Sequence, residues 1–293
     1  GGKNFETTPY KLLMGERKNS WFGFELDGGK DINGDGEPDL VVGAPYGGKK
    51  YAGSLYIYIS GNFEKPALVI EGTESGELFG SSVDIDADLT GDLINDIVVG
   101  AYYSSPKGKN TAGRVYIYNG GSIIAPTPAK IIDGERDGGW FGFSLLLCGD
   151  INGDGVSELV VSAPKDGEGK VFVYSYADIS KPVLVLKGAM ENESFGYSLS
   201  VCGDINGDGF FDLIVGSPAN FENGYRCGKA YIFLTGKTMD EKADYQITGR
   251  NAGDELGYSL GFVPEYWGKG KNIILVGLPA TEANKSGSVQ IYR

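Results

Sequence analysis

Residues 22–45 read Phe-Gly-Phe-Glu-Leu-Asp-Gly-Gly-Lys-Asp-Ile-Asn-Gly-Asp-Gly-Glu-Pro-Asp-Leu-Val-Val-Gly-Ala-Pro, and this stretch decides the fold. It contains a Phe-Gly pair that opens a strand, then an acidic loop rich in glycine, then a short apolar strand that ends at proline. Matching stretches recur at intervals of about 60 residues, and they begin at Phe22, Phe79, Phe141, Phe195 and Leu256. Repetition with this period predicts an array of equivalent structural units.

Each repeat contains four short runs that read as strands, which we name A to D in chain order. In the first repeat strand A follows Phe22, strand B covers 40–45, strand C covers 53–58 and strand D covers 67–72. Strand B is apolar without alternation, which is typical of a strand buried on both faces. Small residues on one side of strand A fit a position near a central axis. Four strands in about 60 residues predict the blade of a β-propeller.

The two ends of the chain suggest how the ring closes. The fifth repeat stops after strand C at 288–293, and residues 10–15 contain a lone segment that resembles strand D. Pairing these two segments would complete a blade and cover two sheet edges. We therefore predict an all-β fold, a β-propeller of five four-stranded blades that forms a single domain over 1–293, with the last blade closed by the N-terminal strand 10–15. A fragment of a longer array is the alternative.

An acidic loop lies between strands A and B in four of the five repeats. Side-chain oxygens at loop positions 1, 3, 5 and 9, together with the backbone carbonyl of position 7, can converge on one cation, and such an oxygen set suits Ca²⁺. Without a cation, the carboxylates that recur in register would repel one another. The sequence predicts four structural Ca²⁺ sites, with these ligand positions: Asp31, Asn33, Asp35, Glu37 and Asp39; Asp88, Thr90, Asp92, Ile94 and Asp96; Asp150, Asn152, Asp154, Val156 and Glu158; Asp204, Asn206, Asp208, Phe210 and Asp212.

The loops are not expected to bind equally well. In the second loop Leu93 replaces the glycine of position 6, and Thr90 is a neutral ligand, so we expect weaker binding there. In the fifth repeat Lys269 stands at position 5, so we expect no metal. An EF-hand is excluded because position 12 is a valine of strand B in all four loops, where an EF-hand requires glutamate. Mg²⁺ fits less well because it demands near-octahedral geometry.

The Phe-Gly pair, the Asp-x-Asn-x-Asp-Gly-x-x-Asp loop and Val-Val-Gly-Ala-Pro at 41–45 together resemble the FG-GAP repeat of integrin α-subunit propellers. The resemblance covers essentially the whole chain. It implies calcium loops on the lower face of the propeller, with ligands and partner subunits on the upper face. Integrin propellers have seven repeats where this chain has five, so the resemblance does not transfer a particular integrin partner.

Composition narrows the function further. The formal net charge is −13 and no local basic patch is present, which argues against nucleic-acid binding. No apolar run approaches the roughly 20 residues of a membrane span. The spacing of Cys148, Cys202 and Cys227 fits no zinc motif, so we expect small buried apolar side chains.

We expect an extracellular or cell-surface protein, because extracellular modules bind Ca²⁺ at about 10⁻⁴–10⁻³ M. The chain begins without an initiator methionine, and we expect a processed product or an excised domain. A monomer, or a part of a larger protein, is the expected state.

Two binding functions remain open. The chain is either an adhesion or protein-interaction module or a carbohydrate-binding lectin, with the protein or glycan ligand on the face opposite the calcium loops. The interpretation rests on aromatic residues in the upper loops, which suit either ligand. Two of them, Trp21 and Trp140, are expected to pack between blades. The full set is Trp21, Tyr46, Tyr51, Tyr102, Tyr103, Trp140, Phe221 and Tyr225.

Catalysis is the third possibility. Glycoside hydrolysis needs two carboxyl groups, and strand A carries acids outside the loops that the repeat does not impose, namely Glu25, Asp27, Asp84 and Asp86. The chain has no histidine and no nucleophile motif. We therefore expect no enzymatic activity.

Overall fold

The computed structural model describes residues 9–61, 63–237, 239–264, 272–279 and 286–293. These ranges form five antiparallel sheets with strands in sequence order. The strands of the five sheets are β1 (Glu25–Lys30), β2 (Asp39–Ala44), β3 (Ser54–Tyr58) and β4 (Leu68–Glu71); β5 (Ser82–Asp84), β6 (Ile97–Ala101), β7 (Arg114–Tyr118) and β8 (Lys130–Asp133); β9 (Leu145–Cys148), β10 (Glu158–Ala163), β11 (Lys170–Ser175) and β12 (Leu184–Lys187); β13 (Ser198–Val201), β14 (Leu213–Ser217), β15 (Lys229–Phe233) and β16 (Tyr245–Thr248); β17 (Ser259–Val263), β18 (Ile273–Leu278) and β19 (Ser288–Tyr292). The same ranges contain three short 3-10 helices, at Lys49–Tyr51, Pro106–Gly108 and Tyr176–Asp178.

The predicted all-β propeller architecture and its five blades are confirmed. The first strand of each blade packs on the first strand of the next, so that β1 contacts β5, β5 contacts β9, β9 contacts β13 and β13 contacts β17. The acidic loops join strands A and B at one end of the blades, which we call the lower face. The Phe-Gly pairs and the B–C and D–A loops lie at the other end, which we call the upper face.

The hydrophobic core lies between neighbouring blades. Between the first two blades, Leu55 and Ile57 of β3 belong to one buried cluster with Phe79 and with Val99 of β6. The Phe79 ring meets Tyr116 edge-on, with 5.1 Å between the ring centroids. Burial of a side chain of this size contributes about 1.5–3 kcal/mol. The phenylalanine of the Phe-Gly pair therefore joins its own blade to the preceding one.

The two glycines of the repeat meet across the blade interface. A Cβ added to Gly43 would lie 2.1 Å from the carbonyl oxygen of Gly80 in the next blade. The same contact recurs between Gly100 and the carbonyl of Gly142, at 2.2 Å. Because backbone approaches backbone this closely, the glycine of strand B and the Phe-Gly pair of the following repeat are required together.

The predicted closure of the ring is not found. Residues 11–15 form no strand, and the fifth sheet has three strands, β17, β18 and β19. Leu13 instead packs on a cluster of the first blade that includes Val42 and Tyr56. No comparable packing joins β17 to β1 among the described strands, and Ile291 of β19 is 63% exposed, while the equivalent Ile57 is fully buried. The segment that contains Leu13 therefore covers the first blade, and no described strand pairs with the outer edge of the last blade.

The three cysteines are buried within the blades. Cys148, Cys202 and Cys227 are free thiols and all three are buried, as predicted. Within the described ranges, no helix is both long enough and apolar enough to cross a lipid bilayer.

Candidate functional site

The first acidic loop is organised around the carboxylate of Asp31. Its Oδ1 accepts hydrogen bonds from the backbone N–H groups of Asn33 and Gly34, at 3.1 and 2.6 Å, and its Oδ2 accepts one from Gly36 at 2.7 Å. Asp35 in turn accepts the N–H of Glu37 through Oδ1, at 2.9 Å. The chain thus curls around the carboxylate of loop position 1.

The third and fourth loops repeat this arrangement. Oδ1 of Asp150 accepts the N–H of Gly153 at 2.6 Å, and Oδ1 of Asp204 accepts that of Gly207 at the same distance. The second loop does the same with Oδ1 of Asp88 and the N–H of Gly91, at 2.7 Å. The four loops therefore share one backbone conformation.

Position 9 ties each loop to the sheet. In the first loop, Oδ2 of Asp39 accepts the N–H of Ile32 at 3.0 Å, and Oδ1 accepts the N–H of Ser60, just beyond β3, at 2.8 Å. Asp96 and Asp212 make the corresponding bonds with the N–H groups of Gly120 and Thr235, both at 2.9 Å. The loop is thereby anchored to strand C as well as to strands A and B.

Glu158 departs from this pattern because its side chain is one methylene longer. Its Oε2 accepts the N–H of Ile151 at 2.9 Å, while its Oε1 accepts a hydrogen bond from the side-chain amide of Asn152 at 2.7 Å. Burial raises the pKa of Glu158 to about 7, and the charges of Asp154 and Asp150 add to the shift. The third loop consequently contains a carboxyl group that titrates near neutrality.

Leu93 adopts the backbone conformation of the glycine it replaces. Its φ is 71°, in the left-handed region, while Gly36, Gly155 and Gly209 at the same position have φ values of 86°, 87° and 94°. The Leu93 side chain is 93% exposed, so it gains no packing in return. The second loop keeps the turn at the cost of backbone strain.

The donor set of the loops fits a hard cation. Hydrogen bonds from the N–H groups of Gly209, Gly207 and Asp208 hold the pKa of Asp204 below its ordinary value, so this carboxylate is ionised. A carboxylate offers about four lone-pair sites, which leaves acceptor capacity beyond these bonds. Among the described residues, none donates a hydrogen bond to the position-7 carbonyl groups of Glu37, Ile94, Val156 and Phe210. In each loop the position-7 carbonyl oxygen therefore has no donor among the described residues.

The structure brings the predicted ligands of each of the four loops into one turn, but their carboxylates face backbone N–H groups. Among the described residues, three carboxylate oxygens within 4.8 Å of one another occur elsewhere, in Asp27, Asp84 and Asp86. The loop of the fifth repeat, with Lys269, lies outside the described residues.

The strand A acids connect neighbouring blades. Oδ2 of Asp27 in β1 accepts the N–H of Ile85 at 2.8 Å, and Oδ2 of Asp84 in β5 accepts the N–H of Leu147 at 3.0 Å. Burial raises the pKa of Asp84 to about 8, and the nearby charges of Asp27 and Asp86 contribute to the rise. These contacts give Asp27 and Asp84 a structural role as acceptors between blades.

Aromatic side chains surround the axial opening on the upper face. We call Phe24, Tyr102, Phe143, Tyr197 and Tyr258 the aromatic mouth. The ring centroids of Phe143 and Tyr197 lie 5.0 Å apart, those of Tyr197 and Tyr258 5.0 Å, and those of Tyr102 and Phe143 5.2 Å. With Glu25 and the serines of strand A, they line a cavity of about 410 Å³.

Only part of this cluster is predictable from the sequence of a single repeat. Tyr102 and Trp140 were predicted on the upper face, and Trp140 stacks on Phe143 with 5.9 Å between the ring centroids. Trp21 is 54% exposed and contacts Phe24 and Tyr46, so the expectation that it packs between blades is wrong. The other members of the mouth were missed as site residues, although the third residue of the Phe-Gly-x motif was the available signal: Phe24, Phe143, Tyr197 and Tyr258 are aromatic, and Ser81 is the exception.

Comparison with known proteins agrees with this geometry. A family model described as the FG-GAP repeat matches residues 22–58, 79–118, 141–174 and 195–233. The chain belongs to the FG-GAP repeat family. Each matched FG-GAP segment runs from a Phe-Gly pair through the acidic loop to the end of strand C.

Curated relatives of this FG-GAP chain are integrin α subunits. Human integrin alpha-7 is 38% identical over 208 residues, which cover 69% of this chain and 17% of that protein. Integrin alpha-PS2 of Drosophila melanogaster is 34% identical over 238 residues, or 73% of this chain and 16% of that protein. The chain thus spans less than a fifth of the length of these relatives. Among solved structures, BBS1N in complex with ARL6DN has a TM-score of 0.51 at 14% identity, covering 90% of this chain and 65% of that one, and it supports the fold alone.

Proposed function

We propose that this chain is a calcium-binding FG-GAP propeller that acts as an adhesion or protein-interaction module outside the cell or at its surface. The observation that carries the proposal is the separation of two features on opposite faces. Four acidic loops lie on the lower face, and the aromatic mouth lies on the upper face. Calcium would stabilise the scaffold from below while the upper face binds a partner.

Calcium is supported by the chemistry of the loops. Each loop provides carboxylate and neutral oxygens at positions 1, 3, 5 and 9, and a backbone carbonyl at position 7 that has no donor among the described residues. Ca²⁺ binds six to eight such oxygen ligands. The ions would also relieve the repulsion between the carboxylates of one loop. We infer four sites, one in each of the loops that begin at Asp31, Asp88, Asp150 and Asp204.

The inferred role of the ions is structural. In the first, second and fourth loops position 9 accepts an N–H from beyond strand C, as in the Asp39–Ser60 and Asp212–Thr235 contacts. An ion in such a loop would fix three strands of one blade. Binding to the folded state alone raises stability by mass action. Calcium would thereby hold the upper-face loops of neighbouring blades in register.

A protein partner is supported by the aromatic mouth and by the relatives. Clusters of tyrosine, tryptophan and phenylalanine are typical of the energetically dominant parts of protein interfaces. The Lys165 ammonium lies 5.5 Å from the Trp140 ring centroid and donates a hydrogen bond to Ser194, which adds a cation to the rim. The curated relatives are integrin α subunits, and we infer the same class of protein-binding surface here.

The test is a binding experiment with the calcium-loaded protein immobilised and probed with purified extracellular matrix proteins and a glycan array. The double variant Phe143→Ala/Tyr197→Ala should abolish binding of a matrix protein. Ile123→Ser is the matched control, because Ile123 is an exposed apolar residue of a lower-face C–D loop and its replacement should change nothing.

Three results would contradict the proposal. Binding that is unchanged by the double variant would remove the mouth from the interface. Binding of glycans without any protein ligand would favour the lectin function, and hydrolysis of aryl-glycosides would indicate an enzyme instead.

A further inference from the structure

A side-chain pair that occurs at two of the blade junctions is missing between the second and third blades. At the junction of the first and second blades, the hydroxyl of Tyr116 donates a hydrogen bond to Glu77, at 2.8 Å. Between the third and fourth blades, Tyr231 donates to Glu193 at 3.0 Å. Between the second and third blades the equivalent residues are Gly139 and Phe172, which have neither the carboxylate nor the hydroxyl.

The third repeat lacks this glutamate carboxylate but keeps the backbone N–H groups that bind it in the second and fourth repeats. The side chain of Glu77 accepts the N–H groups of Thr73 and Glu74, and that of Glu193 accepts those of Ala189 and Met190. The equivalent donors of the third repeat are the N–H groups of Glu135 and Arg136. In the part of the chain that the structure describes, neither finds an acceptor.

A cavity of about 250 Å³ lies at this junction. Its apolar walls include Ile132, Phe141 and Phe172, and its rim carries Arg136, Asp166 and Lys170. The Phe141 and Phe172 rings meet edge-on, with 5.5 Å between their centroids, as the corresponding Phe79 and Tyr116 do. The cavity therefore reflects the missing side chains within an otherwise equivalent interface.

The charges at the rim favour an anion. Arg136 and Lys170 both contact Oδ1 of Asp166, each at 3.1 Å, so this trio has one net positive charge. Asp133 also lines the cavity, but its carboxylate is bound by Arg114 at 2.7 Å and by Lys107 at 3.1 Å. The remaining charged residues of the lining, Glu135 and Lys181, offset each other.

We propose that this cavity binds a small monocarboxylate with a short apolar chain. The carboxylate takes the place of the Glu77 and Glu193 carboxylates and accepts the N–H groups of Glu135 and Arg136. The apolar chain lies against Phe141 and Phe172. A glutamate side chain beyond its Cα is a propionate group, so propionate is the natural probe.

The test is a titration of the folded, isotope-labelled chain with propionate, followed by ¹H–¹⁵N spectra. We expect saturable shifts of the Glu135 and Arg136 amide signals, with affinity in the millimolar range, because the probe is small. Propionamide has the same shape without the charge, and it should leave these signals almost unchanged.

Two double variants complete the test. Gly139→Glu/Phe172→Tyr restores the repeated pair, so it should raise the Tm and abolish the propionate shifts. The φ of Gly139 is not in the left-handed region, and its N–H bonds to the Arg136 carbonyl as the N–H of Glu77 bonds to that of Glu74. A Cβ at Gly139 would lie 3.0 Å from the Arg136 carbonyl oxygen, so a side chain fits there after a small backbone shift. Conversely, Glu77→Gly/Tyr116→Phe should create a propionate response at the amides of Thr73 and Glu74.

The proposal is overturned if wild-type amide shifts do not saturate, or if propionamide produces the same shifts. It is also overturned if the shifts persist in the folded Gly139→Glu/Phe172→Tyr variant, because the cavity is then not the binding site.

Discussion

The α-carbon of Gly43 faces the backbone of Gly80 in the next blade, and a β-carbon at Gly43 would lie 2.1 Å from the Gly80 carbonyl oxygen. The strand B glycine of one repeat and the Phe-Gly glycine of the next are thus one contact between blades. The motif that identifies the family is, in physical terms, the place where two backbones touch.

Replacement of Gly43 by alanine tests this contact. Because the obstructing atom belongs to the backbone, the blades must move apart, and we expect the free energy of unfolding to fall by about 1–3 kcal/mol. Gly149→Ala is the control, since a β-carbon there meets no atom within 4 Å. Chemical denaturation of both variants in calcium provides the measurement, and equal stability of the two would contradict the steric account.

Exchange of leucine and glycine between two loops tests the strain at Leu93. Leu93→Gly removes the cost of a left-handed leucine but adds chain entropy to the unfolded state, and we expect a net stabilisation of about 0.5–1 kcal/mol. Gly36→Leu places the same strain in the first loop and should destabilise by a similar amount. Thermal and urea unfolding measure both. A loss of stability in Leu93→Gly would contradict the predicted strain at Leu93.

Calcium affinity of the third loop should depend on pH. Burial raises the pKa of Glu158 to about 7, and a bound Ca²⁺ requires the ionised carboxylate. Below this pH a proton competes with the ion, so affinity falls as pH decreases through about 7 and is fully restored above it. Isothermal titration calorimetry below and above this value measures the effect. Glu158→Asp matches the position-9 residue of the other loops and should flatten the profile; an unchanged profile would exclude Glu158 as the titrating ligand.

The free energy of unfolding should decrease as pH rises because of Asp84. Burial raises its folded-state pKa to about 8, while an unfolded aspartate titrates at about 3.9. The folded state therefore holds the proton between these values, and the free energy of unfolding falls as pH rises from about 4 to about 8. With calcium chelated, Asp84→Asn should reduce this slope, and the control Asp178→Asn, at a solvent-exposed carboxylate, should leave it unchanged. A wild-type curve that rises over the same window would contradict the assignment.

Most of the fold follows from the sequence because its local signals agree. The Phe-Gly pair at Phe79, the continuous apolar run of β6 and the glycine that starts strand C each predict the observed element. The acidic loops were equally predictable, since aspartate and glycine at fixed spacing specify one turn. Even Leu93 conforms, because the rest of the loop determines its backbone.

The features that were not predicted depend on contacts between distant residues. The prediction of ring closure was wrong because a pattern like that of strand D at 10–15 does not specify which blade the segment contacts. Leu13 packs on the first blade without pairing to a strand C. The aromatic mouth joins side chains from several repeats around the axis, and the cavity beside Gly139 results from an absent side chain. Neither can be recognised within one repeat.

The most direct test of the account is the number of calcium ions bound per chain, measured by calorimetric titration of the chelator-treated protein. The account predicts four, with one site lost in each of Asp35→Ala, Asp92→Ala, Asp154→Ala and Asp208→Ala, and a Tm that rises when calcium is added. No calcium binding, or a Tm that is the same with calcium and with chelator, would contradict it.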